Sequence, residues 1–258
     1  MTARRIVAQS RWLAVAAMVA VVVTATVTAA PEPGARQFVV GAFSTAHPGE
    51  ATDPAWRPLA FDGRPGPTVY TLVADGGATV VAARAAGTAS GLLRELDLAP
   101  TQWPRLRWRW KLETLPRGAD IGRREGDDYA ARIYVTFAYD AEDVGLFERA
   151  RFELLRLRYG HYPPRAALNY VWDAGAAVGT VRPNAYTGRV RMVVLESGPA
   201  RAGEWVIEER DLLADFRHAF GYPPPRISGI AIMTDADDTG SVAAARYGDI
   251  ELLGHGAP

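Results

Sequence analysis

Seven residues near the middle of the chain, Leu106–Leu112, read Leu-Arg-Trp-Arg-Trp-Lys-Leu. Apolar and cationic side chains alternate there without a break. A helix would scatter both kinds around its circumference. Only an extended strand, with its period of two, separates them onto opposite faces. The segment therefore predicts a half-buried antiparallel strand, with Leu106, Trp108, Trp110 and Leu112 inward and Arg107, Arg109 and Lys111 toward water. A second reading places the tryptophans in a sugar-stacking cleft.

Further strands follow the same logic. Gly126–Phe137 reads Gly-Asp-Asp-Tyr-Ala-Ala-Arg-Ile-Tyr-Val-Thr-Phe. A polar turn with adjacent carboxylates runs into a strand whose apolar row is Ala131, Ile133, Val135 and Phe137. Its other row is Arg132, Tyr134 and Thr136, a set suited to polar recognition. Strands are also predicted over 37–43, 68–73, 79–85, 167–173, 181–186, 189–195, 203–208, 226–234 and 243–253. Residues 89–97 fit a strand or a helical turn. Two stretches break the pattern. Ala141–Tyr159 carries apolar residues at helical spacing and is expected to pack on the parent domain. Arg210–Gly221 is a compact helix with Asp211 to cap its start and Gly221 its end. Many short strands with two short helical insertions predict an all-β fold, a jelly-roll-like antiparallel β-sandwich.

Residues 1–30 look like an export signal: Arg4, Arg5 and Arg11, an apolar run from Trp12, then small residues to Ala30. Left uncleaved, the same run is long enough to anchor the chain in a bilayer, the one route by which a membrane enters the reading. Residues 31–36 form a Pro/Gly linker, and 37–255 a single sandwich domain. The chain contains no cysteine, which excludes disulfides, thiolate metal sites and cysteine nucleophiles. An exported protein of this kind is expected in a bacterial periplasm. Without residues 1–30 there are 26 basic and 29 acidic residues, a balance that argues against nucleic acid as the partner.

Two constellations carry candidate chemistry. The first is Asp127, Asp128, Arg132 and Tyr134. The planar fork of Arg132 matches a carboxylate or phosphate on a ligand, and equally suits an internal ion-pair network. The second is Asp235, Asp237 and Asp238 in Met-Thr-Asp-Ala-Asp-Asp-Thr-Gly, which ends at Gly240. Alternating oxygen ligands and a glycine resemble the opening of a calcium loop, but Arg246 stands where a bidentate glutamate belongs. The competing reading is an Asp-rich turn that accepts backbone N–H groups. Trp172 and Trp205 are further candidates for stacking on a ligand. Hydrolase, phosphate-loop, dinucleotide and zinc-protease motifs are all absent.

Several phrases together resemble the bacterial domain-of-unknown-function family 3047. They are Leu106-x-Trp108-x-Trp110, the stretch from Gly126 to Val135, Leu168-Asn-Tyr-Val-Trp172, Trp205 with Glu209-Arg-Asp211, Asp215-Phe216, Phe220-Gly221, and the stretch from Ile232 to Gly240. The resemblance implies an exported bacterial protein and carries over no catalytic residue. More loosely, Tyr247-Gly-Asp-Ile-Glu-Leu252 is similar to the last strand of jelly-roll carbohydrate-binding modules. The resulting expectation is a periplasmic binder of a polar ligand, a glycan or cell-envelope component, with or without calcium. The alternatives are a polysaccharide-degrading hydrolase or lyase on the same scaffold, or an envelope-assembly protein.

Overall fold

A computed structural model describes residues 35–61, 63, 66–142, 144–159 and 162–256. Residues 1–30, expected to be an export signal, and residues 31–34 of the linker lie outside these, while Ala35 and Arg36 already belong to the first strand. Two sheets face each other. The first contains β1 (Ala35–Gly41), β3 (Val69–Asp75), β4 (Ala78–Ala86), β6 (Arg105–Thr114), β11 (Val206–Asp211) and β13 (Val242–Gly256). The second contains β2 (Trp56–Leu59), β5 (Ala89–Leu98), β7 (Ala131–Phe137), β8 (Ala166–Asp173), β9 (Val181–Pro183), β10 (Val190–Ser197) and β12 (Ile227–Asp235).

The first sheet runs β11-β6-β13-β4-β3, with β1 beside β13, and the second runs β2-β5-β12-β7-β8-β10-β9. Sequence-adjacent strands β4 and β5, and β6 and β7, thus fall in opposite sheets, as do β12 and β13. That alternation is the double Greek key of a jelly roll. One pairing departs from the antiparallel expectation: β8 and β10 are parallel. The reason is local. The short strand β9 pairs antiparallel with β10 and supplies the return, so β10 re-enters the sheet in the direction of β8. The ambiguous stretch 89–97 is strand β5, held between β2 and β12.

Aromatic side chains join the sheets. Trp108 lies 5.3 Å from Tyr170 and Trp110 lies 6.1 Å from Trp172, ring centre to ring centre. All four are buried, so the tryptophans of β6 fill the core. The cations between them pair across the outer face, Arg107 with Glu251 at 2.6 Å and Lys111 with Asp75. The stacking role expected of Trp172 fails for the same reason. It is fully buried, and its indole N–H donates to the carbonyl of Gly198 at 2.9 Å. Trp205 lies under Arg109 and Lys111 of the first sheet, at 4.6 and 5.0 Å.

Helix α2 (Leu212–Phe220) is capped as expected. Asp211 accepts from the amides of Leu213 and Ala214, and Gly221 closes it at φ 80°. Helix α1 (Leu146–Tyr159) forms as expected but packs differently. Phe152 alone among its described large apolar residues is fully buried, stacked 3.9 Å from Tyr139. Leu146, Phe147, Leu154 and Leu157 face outward, with Phe147 97% exposed.

A half-buried acid, Glu208, sits on β11, the edge strand of the first sheet. Burial, reinforced by the nearby Glu196 carboxylate, pushes the Glu208 carboxyl from 4.5 up to about 7. Its folded-state value lies above the unfolded one. Neutral Glu208 therefore supports the fold at low pH, and that support is lost as pH rises through about 7. Glu208→Gln is expected to stabilise the protein at pH above this value by about 1–3 kcal/mol, with the gain vanishing in acid. Urea denaturation of both proteins across the pH range checks this; a gain that does not depend on pH contradicts it.

Candidate functional site

Strands β5, β12, β7, β8 and β10 present their outer faces side by side. The register places Leu93, Ala231, Tyr134, Asn169 and Met192 in one row across them. The neighbouring row brings Met233 beside Arg132. Period-two alternation fixes this outcome. Ile133, Val135 and Phe137 enter the core, so Arg132, Tyr134 and Thr136 must point the other way. Above these rows lies a cleft of about 870 Å³. Its walls include Phe61, Tyr139, Tyr162 and Tyr186, with Asn184 and the acidic loop at one end.

The two acidic corners meet at that end. The amide of Tyr129 donates to Asp235 Oδ1 at 2.9 Å, and the amide of Asp235 returns a bond to the Tyr129 carbonyl at 3.1 Å. Asp128 accepts the amides of Asp238 and Thr239, at 3.2 and 2.7 Å. Gly126 allows the turn its tightness: a Cβ there would stand 2.7 Å from the backbone nitrogen of Asp120. Asn184 Nδ2 donates to Asp127 Oδ2 at 2.8 Å, and the Tyr186 hydroxyl to Asp238 Oδ1 at 2.6 Å.

Arg132 holds the corner together. Its Nη2 stands 2.5 Å from Asp235 Oδ2 and also donates to the Asp127 carbonyl. Its Nη1 donates to the Tyr134 hydroxyl at 2.9 Å, and its guanidinium lies 4.1 Å from the Tyr129 ring centre. Both charged partners are buried, with side chains 2% and 4% exposed. The expectation that Arg132 displays its fork to a ligand anion therefore fails. Two carboxylate-bearing loops approach closely in low dielectric, and the cation between them is taken up in doing so. Tyr134, half-buried, stays in the cleft floor.

Burial pushes the carboxyls of Asp235 and Asp127 upward, while Arg132 pulls both back. Asp127 differs from its neighbours in one respect. It is 6% exposed, and its Oδ1 has no hydrogen-bond partner. Asp128, Asp235 and Asp237 each bring one carboxylate oxygen within 4.8 Å of the others, a spacing that a cation accepts. Asp238 is outside that group. Asp128 is already engaged by amides, and Asp235 by a guanidinium whose charge opposes a divalent ion at the same place.

Of the residues singled out by sequence, Asp127, Arg132, Tyr134, Asp235, Asp237 and Asp238 line the cleft. Asp128 braces the acidic loop from behind, and Trp172 and Trp205 lie elsewhere. The cleft also uses Asn184, Tyr186, Tyr139, Tyr162 and Phe61, which the sequence reading passed over. Asn184 and Tyr186 fall within the strand predicted over 181–186, but β9 ends at Pro183 and leaves them in a turn, while Phe61, Tyr139 and Tyr162 sit in loops where no periodicity marks a face.

A model for the family described as protein of unknown function (DUF3047) matches residues 54–251. Comparison with curated proteins gives no match. Among solved structures, the chain is similar to a family 11 carbohydrate-binding module of a cellulosomal cellulase from Clostridium thermocellum. The identity is 11% and the TM-score 0.41, over 85% of this chain and 95% of that one. A second structure of a Clostridium thermocellum module of that family, in complex with a β-1,3-1,4-mixed-linked tetrasaccharide, gives 11% and 0.41 over 86% and 98%. A likeness at this level says nothing about the ligand of this chain.

Replacing Arg132 by Met leaves Asp235 buried without its counter-ion. The expected cost is about 3–5 kcal/mol in urea denaturation, with a large part recovered in the Arg132→Met, Asp235→Asn double variant. A cost below about 1 kcal/mol for the single change would show that the pair does not hold the corner.

Proposed function

The chain belongs to the DUF3047 family, and from that premise we propose that it is a carbohydrate-binding protein whose ligand lies in the cleft on the outer face of the second sheet. The observation that carries this reading is the make-up of the cleft. Phe61, Tyr162 and Tyr186 line it and are each about 40% exposed, at 39, 41 and 42%. Pyranose rings present apolar C–H faces and a hydroxyl edge. Exposed aromatic rings receive the first, and Asn184, Thr136, Ser228 and Asp127 can satisfy the second. A cleft of this volume, largely apolar with a few convergent polar groups, is built for a ligand of oligosaccharide size.

The binding test uses the chain from residue 31 onward against an array of neutral, acidic and amino oligosaccharides, followed by calorimetry on the best binder. Tyr162→Ala and Tyr186→Ala are each expected to weaken binding about tenfold. Absence of saturable binding to any glycan overturns the reading. Release of new reducing ends during the same incubation would turn it toward a hydrolase.

The proposal includes export to the periplasm, supported by the basic and apolar character of residues 1–30. Recovery from a periplasmic extract, with a mature N-terminus at residue 30 or 31, is the expected result. Recovery with the cytoplasmic fraction contradicts it. Calcium at Asp128, Asp235 and Asp237 is the subordinate reading, and the Arg132 guanidinium beside Asp235 weighs against it.

A further inference from the structure

Helix α1 carries two apolar faces. One holds Phe152, which is buried and stacks on Tyr139. The other is made of Leu146, Phe147, Ala150, Leu154 and Leu157, all exposed. Its four large residues stand at 82, 97, 69 and 74% exposure. At 3.6 residues per turn these five positions fill an arc of about 100°, and no polar residue interrupts it. Phe152 lies on the far side of the helix. Single exposed apolar residues are ordinary on a protein surface, but a continuous stripe of them marks a face that something else covers.

The borders of the stripe are cationic. Arg151 lies along one side, and Arg149 and Arg156 lie along the other, with Glu153 among them. Both acids of the helix are taken up by partners. Glu153 pairs with Arg156 at 3.0 Å and accepts the Tyr162 hydroxyl, and Glu148 lies 3.7 Å from Arg165. Arg149 donates to a neutral group, the Val144 carbonyl, at 3.2 Å. Among the described residues, no carboxylate pairs with Arg149 or Arg151. One uncompensated positive charge therefore flanks the stripe on each side. Asp140 and Glu142 belong to the loop before the helix.

We infer that α1 anchors the domain to an anionic phospholipid surface, with its outward stripe in the bilayer interface and Arg149 and Arg151 at the level of the phosphates. The helix has 14 residues, about 21 Å, too short to cross a hydrocarbon core of about 30 Å. An apolar arc with cationic borders lies along the interface instead. Arginine suits the border, because its fork matches phosphate oxygens while its stem covers apolar surface. A second copy fits the charges less well. A twofold interface sets a surface against itself, so the arginine-bearing borders would meet each other. The anchor does not depend on the ligand of the cleft. Because Tyr139 lines the cleft and stacks on the packed side of α1, the anchor brings the cleft to the bilayer.

Vesicle flotation tests this with the chain from residue 31 onward. That chain keeps the compact unit Pro33–Pro258 and lacks the apolar run of the first thirty residues, which would itself bind lipid. Binding is expected to vesicles containing about one-third phosphatidylglycerol, and to be at least about tenfold weaker on pure phosphatidylcholine. The Phe147→Ser, Leu154→Ser double variant, altered only at exposed positions, is expected to bind the anionic vesicles at least about tenfold more weakly. Arg151→Gln is expected to weaken the same binding about fivefold. Ile207→Ser, at an exposed apolar position of β11, should leave it unchanged. Absence of binding to the anionic vesicles overturns the inference. So does equal binding to both kinds of vesicle, or an equal loss in Ile207→Ser. A dimer in light scattering that the double variant dissociates, with no vesicle binding, would assign the stripe to a second copy and overturn it as well.

Discussion

A single buried ion pair, Arg132 with Asp235, decides how the second sheet ends. The cation comes from one strand and the anion from the next, and both are withdrawn from water. Such a pair adds little net stability compared with an apolar pair, because each charge must first be desolvated. What it supplies is position. A guanidinium with a fixed fork bonds Asp235, Tyr134 and the Asp127 carbonyl together, and so ties the end of β12 to β7 and the turn before it. The Asp127-Asp128 turn and the Asp-rich loop are thereby tied into one corner.

That corner is supported from below by the opposite sheet. Tyr247 of β13 is fully buried, and its hydroxyl reaches the Met233 carbonyl at 2.5 Å and the Arg132 amide at 3.2 Å. Thr234 and Tyr247 exchange a further bond at 2.9 Å. The floor of the cleft is therefore rigid where the polar groups lie. Its far wall has a different construction. Tyr139 stacks on Phe152 of α1, and Tyr162 packs against Tyr139 while its hydroxyl donates to Glu153 of the same helix. One end of the cleft is fixed by charge and the other by aromatic packing, which suits a ligand that is polar at one end and stacked at the other.

By itself the sequence determined the elements and their faces. The alternation in Leu106–Leu112 and in Ala131–Phe137 dictated which side chains enter the core, because a strand has no other way to separate them. The cap of α2, with Asp211 before it and Gly221 after, was legible for an equally local reason. The convergence of Asp127 and Asp128 with Asp235, Asp237 and Asp238 was an expectation whose outcome only the jelly-roll pairing of β7 with β12 decided. The fate of Arg132 lay beyond the sequence altogether. An outward-facing arginine on a strand reads the same whether it meets a ligand or a carboxylate from a segment a hundred residues away, and only tertiary contact supplies that carboxylate. Trp172 shows the converse. Its strand β8 is buried on both faces, which removes the alternation that would have marked it as core. Periodicity reports the contacts a residue makes with its own strand's two faces; what lies against those faces is set by long-range pairing, and the cleft is made of such pairings.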